Sequence, residues 1–317
     1  MITVMELLIA VVLDLAAGDP ADRWHPVSWT GKLIARLEAA LYPVDNGMAG
    51  GLALAASALV ISMACVAVLL AGAGRVGRKA RLATGALVIY YTVSFRSLLK
   101  TALDVQRLLI QGRLDEARSR LCALVGRDLE GLSAEELTRA TFESIAENAS
   151  DGAVAPLFYA AIGGPVLAAA YRTANTLDSM VGYHNEKYSR FGMASARIDD
   201  LLNLVPSRLT ALALLGGGAV LGKDAGWGLD ISRRDARKHK SPNAGWPEAA
   251  MAGLLRVRLG GANYYGGREV LLTELGEPLE PITSAKIGEA VKLAWAAYAL
   301  ALLALLAMRA IVCRWWG

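Results

Sequence analysis

One uncharged stretch, residues 49–74, decides the fold of this chain: AGGLALAASALVISMACVAVLLAGAG. A helix needs about 20 mainly apolar residues to cross the hydrocarbon core of a bilayer, which is about 30 Å thick. The stretch has 26 residues and contains no Asp, Glu, Lys or Arg. It therefore predicts a helix that spans a membrane.

Five further apolar segments lie on either side of it: 2–17, 82–95, 153–171, 201–222 and 293–313. No Lys or Arg precedes Arg23, whereas a signal peptide would begin with a basic region, so 2–17 is predicted to be a retained first span. Gly163-Gly164-Pro165 interrupts 153–171, which predicts a broken or re-entrant segment.

Strand signals are scarce, so the predicted fold is all-α: a polytopic integral membrane protein with four to six membrane segments, some broken or re-entrant, plus cytoplasmic helices. We expect a single integral membrane domain over 1–317. Its two polar insertions, 96–152 and 223–292, are expected to lie largely in the cytoplasm.

Composition supports this class of protein. The chain has 317 residues, of which 55% are hydrophobic and 20% are charged, and its mean hydropathy is +0.38. A disordered chain would have low hydrophobicity and high net charge, so that class is excluded. The three cysteines exclude a disulfide scaffold, and no Cys/His pair has zinc-ligand spacing. We expect membrane lipid as a partner and no nucleic acid.

The Lys and Arg residues predict an orientation. If all six segments cross, the side carrying 18–48, 96–152 and 223–292 holds 22 of them and the other side holds 9. The richer side should be cytoplasmic. This map leaves 172–200 on the opposite side from the other polar motifs. We therefore predict that 153–171 is a broken or re-entrant hairpin, so that 172–200 also faces the cytoplasm.

The polar insertions contain recognisable local signals. Leucines recur at helical spacing over 96–127, on both sides of Gly112. Ser133-x-x-Glu136 is a capping box that predicts a helix through about Ser150. Ser241–Gly245 and the glycine-rich stretch Gly260–Gly267 predict turns.

Three carboxylates, Glu143, Glu147 and Asp151, are spaced i, i+4, i+8, which places them on one face if they share a helix. Like charges at this spacing repel one another. Either the face is solvated, or a cation lies between the carboxylates.

A denser polar segment runs from Tyr171 to Arg208. Asn175 and Asp178 are spaced i, i+3, and Asp199, Asp200 and Asn203 form a D-D-x-x-N pattern. Mg²⁺ prefers oxygen ligands from one or two carboxylates together with substrate phosphates. The alternative is that these carboxylates form structural salt bridges with Arg172, Arg197 and Arg208.

The last two polar features are a basic cluster and a histidine. Residues 233–240 carry five Lys or Arg side chains, which suit phosphate binding or, alternatively, contact with anionic lipid. His25 lies in a proline-bracketed loop beside Asp19 and Asp22, where it is either structural or in contact with substrate.

These motifs together resemble the CobD/CbiB family of cobalamin biosynthesis. They are, in order, GDPADRWHPV, FESIAENASDGAVAPLF, YRTANTLDSMVGYHNEKY, ARIDDLLNLVPSRL and SPNAGWPEAAMAG. The resemblance runs from about residue 5 to residue 290.

The resemblance implies an integral membrane enzyme, adenosylcobinamide-phosphate synthase, in the inner membrane with its active site facing the cytoplasm. It would join a carboxylate of adenosylcobyric acid to the amine of (R)-1-amino-2-propanol O-phosphate, or of aminopropanol. ATP and Mg²⁺ are expected because amide formation from a free carboxylate is uphill in water; the corrinoid is a substrate. Other membrane-bound cobalamin-assembly enzymes are candidate partners.

This chemistry assigns candidate roles to the polar residues. The candidate catalytic residues are Glu143, Glu147, Asp151, Asp199 and His25, where a carboxylate or His25 would be the base. The candidate substrate and phosphate ligands are Arg172, Asn175, Asn185, Lys187, Arg197, Arg208, Lys238, Lys240 and Asn243. The candidate metal ligands are Asp151, Asp178, Asp199 and Asp200. Asp151, Asp178, Asp199 and Asn243 are expected to surround one cavity.

Two other functions remain open. An intramembrane Mg²⁺-dependent prenyltransferase would place two Asp-rich motifs toward one cavity, and only D-D-x-x-N approaches such a motif. A non-enzymatic transporter, or a scaffold for a corrinoid assembly complex, would suit the broken segment at Gly163-Gly164-Pro165. Inverted repeats, which many transporters contain, are not evident.

Overall fold

The structure is a computed structural model that describes residues 4–19, 26–183 and 185–316, with side chains described through Ile311. The first half of the chain contains the helices α1 (Val4–Ala17), α2 (Pro26–Leu41), α3 (Met48–Val76), α4 (Arg78–Tyr90), α5 (Phe95–Ile110), α6 (Leu114–Leu121) and α7 (Ala134–Ala149). The second half contains α8 (Ala155–Val181), α9 (Met193–Val220), α10 (Ala225–Asp235), α11 (Gly245–Leu255), β1 (Arg258–Tyr265), β2 (Arg268–Gly276) and α12 (Ile287–Trp316).

Five helical segments within the described residues are long and apolar enough to cross a membrane. They are Met48–Val76, Arg78–Ile110, Ala134–Val181, Met193–Val220 and Ser284–Ile311. The protein is therefore a polytopic helical membrane protein, as predicted. The first predicted span, 2–17, corresponds to α1, whose 14 residues are too few for this group.

The predicted segment 82–95 is not one helix. α4 ends at Tyr90, and α5 begins at Phe95. Between them the hydroxyl of Thr92 donates to the carbonyl of Ile89 at 2.7 Å, a bond that closes the end of α4. A run of apolar residues carried no signal for this interruption, because apolarity reports burial or lipid contact and not the direction of the chain.

The predicted break in 153–171 is confirmed. Gly164 in α8 has φ 81° and ψ −160°, which is not helical, and Pro165 follows it. Proline removes a backbone donor and crowds the preceding turn, and glycine accepts the left-handed φ that results. That the segment returns to the face it entered, as a hairpin would, stays a prediction.

The chain divides into two compact units. Unit 1 comprises residues 1–94, 155–203 and 304–317, and unit 2 comprises residues 95–154 and 204–303. Unit 1 thus contains α1 to α4, α8 and the ends of α9 and α12. Its core packs Ile34 of α2 and Leu54 of α3 against Leu177 of α8 and Phe191, all fully buried. The single-domain expectation stays a prediction.

Unit 2 contains α5 to α7, α10, α11 and the strands. The predicted capping box is confirmed at the start of α7: the Ser133 hydroxyl accepts from the N–H of Glu136, and the Glu136 carboxylate accepts from the N–H of Ser133 at 2.8 Å. The predicted helical stretch 96–127 forms α5 and α6, which are separated at Gly112, where φ is 72°.

The glycine-rich stretch at 260–267 was predicted to be a turn, but only part of it is one. Most of it lies in β1, which pairs antiparallel with β2 in the two-stranded sheet, and the turn occupies Gly266-Gly267. A bulge interrupts the pairing between Leu259 and Gly261. Gly260 has φ 83°, and a Cβ there would lie 2.2 Å from the carbonyl oxygen of Thr273. Only glycine fits this close approach, so the glycines here shape a strand.

Candidate functional site

The polar cluster of unit 1 is centred on Asp199. Asn203 donates to one carboxylate oxygen of Asp199 at 3.0 Å, and Asn175 of α8 donates to the other at 3.4 Å. The hydroxyl of Tyr171 in turn donates to the side-chain oxygen of Asn203 at 2.9 Å. Asp199 is 8% exposed and Asn203 is 1% exposed. The D-D-x-x-N pattern therefore brings a carboxylate and two amides together inside α8 and α9, as its helical spacing predicts.

Two further carboxylates act on Asp199, which argues against the salt-bridge alternative there. Asp178 and Asp200 both lie within electrostatic range of it. Among the described residues, the hydrogen-bond partners of the Asp199 carboxylate are the amides of Asn203 and Asn175, and neither is an arginine. Like charges at one buried position are unfavourable unless a cation joins them.

The carboxylates near Asp199 suit Mg²⁺ only if waters and substrate phosphates supply the other ligands. No group of three or more His, Cys, Asp or Glu side chains is arranged to hold a metal ion in the parts of the chain that are described. Mg²⁺ usually keeps several waters and binds one or two carboxylates together with substrate phosphates. Asp199 and Asp178 could supply that number of carboxylates.

The other predicted ligands of unit 1 lie in different surroundings. Arg172, on α8, lines a largely apolar cavity of about 460 Å³ together with Trp29, Leu33 and Val88. Lys187 donates to Glu38 at 2.6 Å and to the hydroxyl of Tyr188 at 2.9 Å.

The turn around Lys187 holds a second predicted ligand. Asn185 accepts from the N–H of Tyr188 at 2.9 Å, so it shapes this turn. Arg197 is exposed. Asn185 therefore has a structural contact within a turn, and Lys187 has an ion pair with α2; neither residue bonds Asp199. His25 lies outside the described residues.

The carboxylate of Glu143 is the best anchored of the three in unit 2. Arg127 donates to one of its oxygens at 2.6 Å, and the N–H of Gly260 donates to the other at 2.8 Å. Arg127 also donates to the side chain of Asn263 in β1 at 2.6 Å. Glu143 is 7% exposed, so the solvated-face alternative is wrong for this residue. A buried ion pair of this geometry holds α7 on the hairpin.

The predicted common face of the three carboxylates is only partly confirmed. Glu147 lies one helical turn after Glu143 and is exposed. α7 ends at Ala149, and Ser150–Val154 form a π-helical turn. A π turn bonds i to i+5, which shifts Asp151 out of the α-helical register. Hydropathy and spacing did not reveal this turn.

A fourth carboxylate belongs to this group, and the sequence analysis missed it. Glu248 lies in the first turn of α11 and is 6% exposed. Burial and the nearby charges of Glu143 and Glu147 raise the pKa of Glu248, against an opposite effect of Arg127. The available signal was the position of Glu248 between Pro247 and the apolar run AAMAGLL, because burying a charged side chain in an apolar helix costs free energy.

The predicted phosphate ligands Arg208 and Asn243 meet in unit 2. Arg208 donates to the side-chain oxygen of Asn243 at 2.7 Å and to the carbonyl of Pro242 at 2.9 Å. Its guanidinium lies 5.1 Å from the ring centre of Trp246, a cation–π contact. These contacts fix the plane of the guanidinium, which is the group best suited to bidentate phosphate binding.

The basic cluster after α10 is divided between two roles. Lys238 donates to Asp235 at 2.7 Å, and Arg234 and the N–H of Gly276 bond the same carboxylate. Burial alone would raise the pKa of Asp235, but these hydrogen bonds outweigh it and hold that pKa well below its usual range. Lys238 is therefore part of a structural ion pair. Lys240 is exposed.

The profile of the CobD/CbiB protein family matches residues 7–294. A protein of Geobacter metallireducens, "Cobalamin biosynthesis protein CobD", is 44% identical over 94% of this chain and 94% of its own length. "Cobalamin biosynthesis protein CbiB" of Salmonella typhimurium is 40% identical over 97% of this chain and 98% of its own length.

A third relative, "Cobalamin biosynthesis protein CobD" of Listeria monocytogenes, is 38% identical over 92% of this chain and 93% of its own length. No solved structure matches the chain. The family match covers most of the chain and includes every polar cluster described above. The chain belongs to the CobD/CbiB family of cobalamin-biosynthesis proteins.

Proposed function

We propose that this membrane protein is an amide-forming ligase, an adenosylcobinamide-phosphate synthase. It would join a carboxylate of adenosylcobyric acid to the amine of (R)-1-amino-2-propanol O-phosphate or of aminopropanol. Membership of the CobD/CbiB family and the printed names of the relatives support a place in cobalamin biosynthesis.

One observation carries the choice of a phosphorylated amine as substrate. The segment 239–248 of unit 2 contributes to two groups of opposite character. At one end His239 and Glu248 belong to a group with an excess of carboxylates. At the other, Asn243 holds the guanidinium of Arg208. A substrate with an ammonium group and a phosphate requires both kinds of group.

The residues can be assigned to steps of the reaction. Arg208, oriented by Asn243, would bind the phosphate of the amine, and exposed Lys240 would add a point charge. The carboxylates of Glu143, Glu147 and Glu248 would attract the ammonium group. Asp151 and Asp199 stay candidate catalytic residues, and the burial of Asp199 would limit the access of water to its carboxylate.

ATP and Mg²⁺ are the expected co-substrate and metal. ATP would supply the free energy of amide formation, and Mg²⁺ would neutralise its phosphates. Asp199 and Asp178 are the residues that would hold the metal, with Asp151 and Asp200 as further candidates. The sequence contains no G-x-x-x-x-G-K-[ST] motif, so a nucleotide would be bound without a P-loop.

The proposed location is the inner membrane, with the active site facing the cytoplasm. The excess of Lys and Arg on one predicted side supports this orientation. ATP and charged substrates are available on that side. Membrane lipid surrounds the five apolar segments, and other membrane-bound enzymes of corrinoid assembly are proposed partners.

A reconstituted assay tests this function. The protein is purified in detergent and returned to lipid nanodiscs, and it is then incubated with adenosylcobyric acid, ATP, Mg²⁺ and either amine. We expect mass spectrometry to detect the amide product, together with ATP consumption, only when all components are present. A matched sample without ATP is the control.

Two other results would redirect the assignment. Product formation without ATP consumption would contradict a ligase. Absence of product, combined with uptake of corrinoid into sealed vesicles, would favour the transporter. Transfer of a prenyl group from a prenyl diphosphate would favour the prenyltransferase.

A further inference from the structure

Glu248 is a buried carboxylate whose surroundings lack a counter-charge. Its side chain is 8% exposed. Among the described residues its carboxylate has no hydrogen-bond partner, and the one basic side-chain nitrogen within 4.0 Å of it is Nε2 of His239, at 4.0 Å from Oε2. Buried carboxylates are normally paired or hydrogen-bonded, because desolvation of an isolated charge is costly. An uncompensated one is therefore a place to look for a bound cation.

The charged and titratable groups around Glu248 do not compensate it. Glu143 and Glu147 approach from α7 and add negative charge, and Tyr265 of β1 also lies within electrostatic range. Among the described residues, Arg127 is the cation that acts on Glu248, and its guanidinium is already bonded to Glu143. The neighbouring Arg139 donates to the carbonyls of Gly260 and Ala262 on β1. Neither guanidinium is bonded to Glu248.

His239 does not supply the missing charge. Its Nδ1 lies 3.0 Å from the backbone nitrogen of Ser241 and 3.3 Å from the carbonyl oxygen of the same residue. The shorter contact, in which the N–H donates to Nδ1, places the proton of the neutral ring on Nε2, the nitrogen that faces Glu248. Burial lowers the pKa of His239 below its ordinary value, although the Ser241 carbonyl and Glu143 act in the opposite direction. The imidazole is then neutral near pH 7 and can donate toward Glu248.

A second polar group next to this cluster also lacks a partner. The side-chain nitrogen of Asn263 is buried and makes no hydrogen bond, and the residue is 2% exposed. Its oxygen accepts from Arg127, which connects it to Glu143. Asn263 on β1 therefore offers a donor and Glu248 on α11 offers an acceptor, which suits a polar ligand that carries both an acceptor oxygen and a cationic donor.

We propose that Glu248 binds the ammonium group of the amine substrate and accepts one of its protons, with His239 as its positioning residue. This inference rests on the proposed function. The proton moves from the substrate nitrogen to a carboxylate oxygen of Glu248, which becomes a carboxylic acid, and the nitrogen keeps the electron pair as a neutral amine. That neutral amine is the nucleophile that amide formation requires.

The ligand chemistry follows from the residues. A primary ammonium group is small, has three N–H donors and carries one positive charge. It can donate to the carboxylate of Glu248 and supply the positive charge that no described side chain provides within hydrogen-bond distance. Burial and the like charges of Glu143 and Glu147 raise the pKa of Glu248, which makes its ionised carboxylate a stronger proton acceptor than an exposed one.

A pair of substrates separates the base from a structural role. One is the natural phosphorylated amine, which is an ammonium ion at neutral pH. The other is 2-(aminooxy)ethyl phosphate, whose nitrogen is uncharged at neutral pH and needs no base before it attacks. In the reconstituted assay, Glu248→Gln should lower kcat by at least a factor of 100 for the ammonium substrate and by less than a factor of 5 for the aminooxy substrate.

The control is Glu269→Gln, which removes an exposed carboxylate from β2 and should leave both rates unchanged. Equal losses of Glu248→Gln on the two substrates would overturn the proton-transfer role, and so would unchanged rates. If the unmodified protein forms no amide with either substrate, the proposed function fails and this inference fails with it. That result is distinguishable from failure of the inference alone, in which the unmodified protein is active and Glu248→Gln affects both substrates equally or neither.

A stability measurement tests the charge environment without any substrate. The pKa of Glu248 is raised in the folded protein, so between its ordinary value and the raised value the folded state binds more protons than the unfolded state. The stability of the unmodified protein then falls as pH rises through this window. Glu248→Gln should therefore have a higher melting temperature than the unmodified protein at pH 8 and no advantage at pH 4.5. A lower melting temperature at pH 8 would show that the ionised carboxylate is already compensated, which contradicts the inference.

Discussion

The side-chain oxygen of Asn243 accepts a hydrogen bond of 2.7 Å from the guanidinium of Arg208, 35 residues earlier in the chain. This bond joins two of the sequence motifs that resemble the CobD/CbiB family, NLVPSR and SPNAGW. Asn243 is buried, and Arg208 also stacks on Trp246. The arrangement orients a guanidinium fork and leaves other N–H donors of Arg208 for a ligand.

Arg208→Lys should show that the fork matters more than the charge. Lysine keeps the positive charge but cannot bind a phosphate through two parallel hydrogen bonds. We expect KM for the phosphorylated amine to rise about 10-fold, which corresponds to about 1.4 kcal/mol, while KM for aminopropanol changes little. Steady-state kinetics with both amines measures this, and Arg268→Lys on the exposed hairpin is the control. Equal rises for both amines would contradict a phosphate role.

Lys238 and Lys240 should behave differently although they are two residues apart. Lys240→Ala should raise KM for the phosphorylated amine and leave the melting temperature unchanged, because Lys240 is exposed. Lys238→Ala should lower the melting temperature, because Lys238 is bonded to buried Asp235. Thermal unfolding and kinetics on the two variants provide matched controls for each other. If Lys238→Ala raised KM and Lys240→Ala lowered the melting temperature, Lys238 would be the phosphate ligand and Lys240 the structural residue.

Asp199→Ala and Asp151→Ala should each abolish turnover while the protein still inserts and purifies. Loss of a group that orients charge in the transition state costs at least about 3 kcal/mol, or roughly two orders of magnitude in rate. The exposed Asp230→Ala is the control and should remain active. Near-normal activity of both variants would leave a structural or solvated role for these carboxylates.

The Arg127–Glu143 pair should show strong coupling in a double-mutant cycle. Both side chains are more than 90% buried. Arg127→Ala leaves a buried carboxylate without its charged partner, and we expect it to lower the free energy of unfolding by about 3–5 kcal/mol. Arg127→Ala combined with Glu143→Gln should cost less than Arg127→Ala alone. Additive effects of the two substitutions in denaturant unfolding would contradict the pairing.

Stability should depend on acid pH through Asp235. Its folded-state pKa lies below the ordinary carboxyl value, so its contribution is present above that ordinary value and is lost as pH falls through the lowered pKa. Asp235→Asn should lower stability by about 1.5–3 kcal/mol at pH 7, as expected for hydrogen bonds to a charged group. The difference between variant and unmodified protein should shrink below pH 4. A difference that is constant from pH 7 to pH 3 would exclude this linkage.

Several local features were predictable because they depend on neighbouring residues. The capping box at Ser133 and Glu136 formed as its spacing requires. The D-D-x-x-N pattern placed Asp199 and Asn203 on one helix face, where they bond each other. Gly163-Gly164-Pro165 broke α8 at Gly164. In each case the backbone geometry of three or four residues was sufficient.

Other features were not predictable because they depend on residues far apart in sequence. Arg127 and Gly260 meet at Glu143 across 133 residues, and nothing near either residue indicates the contact. The π turn at Ser150–Val154 changes the register of Asp151 without any signal in spacing. Lys187 and Asn185 matched a family motif, yet Lys187 forms an ion pair with Glu38 of α2, and Asn185 accepts from the N–H of Tyr188 within a turn. That Asp151, Asp178, Asp199 and Asn243 surround one cavity stays a prediction.

The sequence by itself determined that this is a helical membrane protein and which family it belongs to. The side chains of long apolar segments are stable only in lipid or in a protein interior, and a helix forms its backbone hydrogen bonds within the segment. The tertiary structure decided which charged residues are paired and which are left without a partner. Lys238 and Glu143 found their counter-charges, whereas Glu248 did not, because pairing depends on which side chains the folded backbone brings within hydrogen-bond distance.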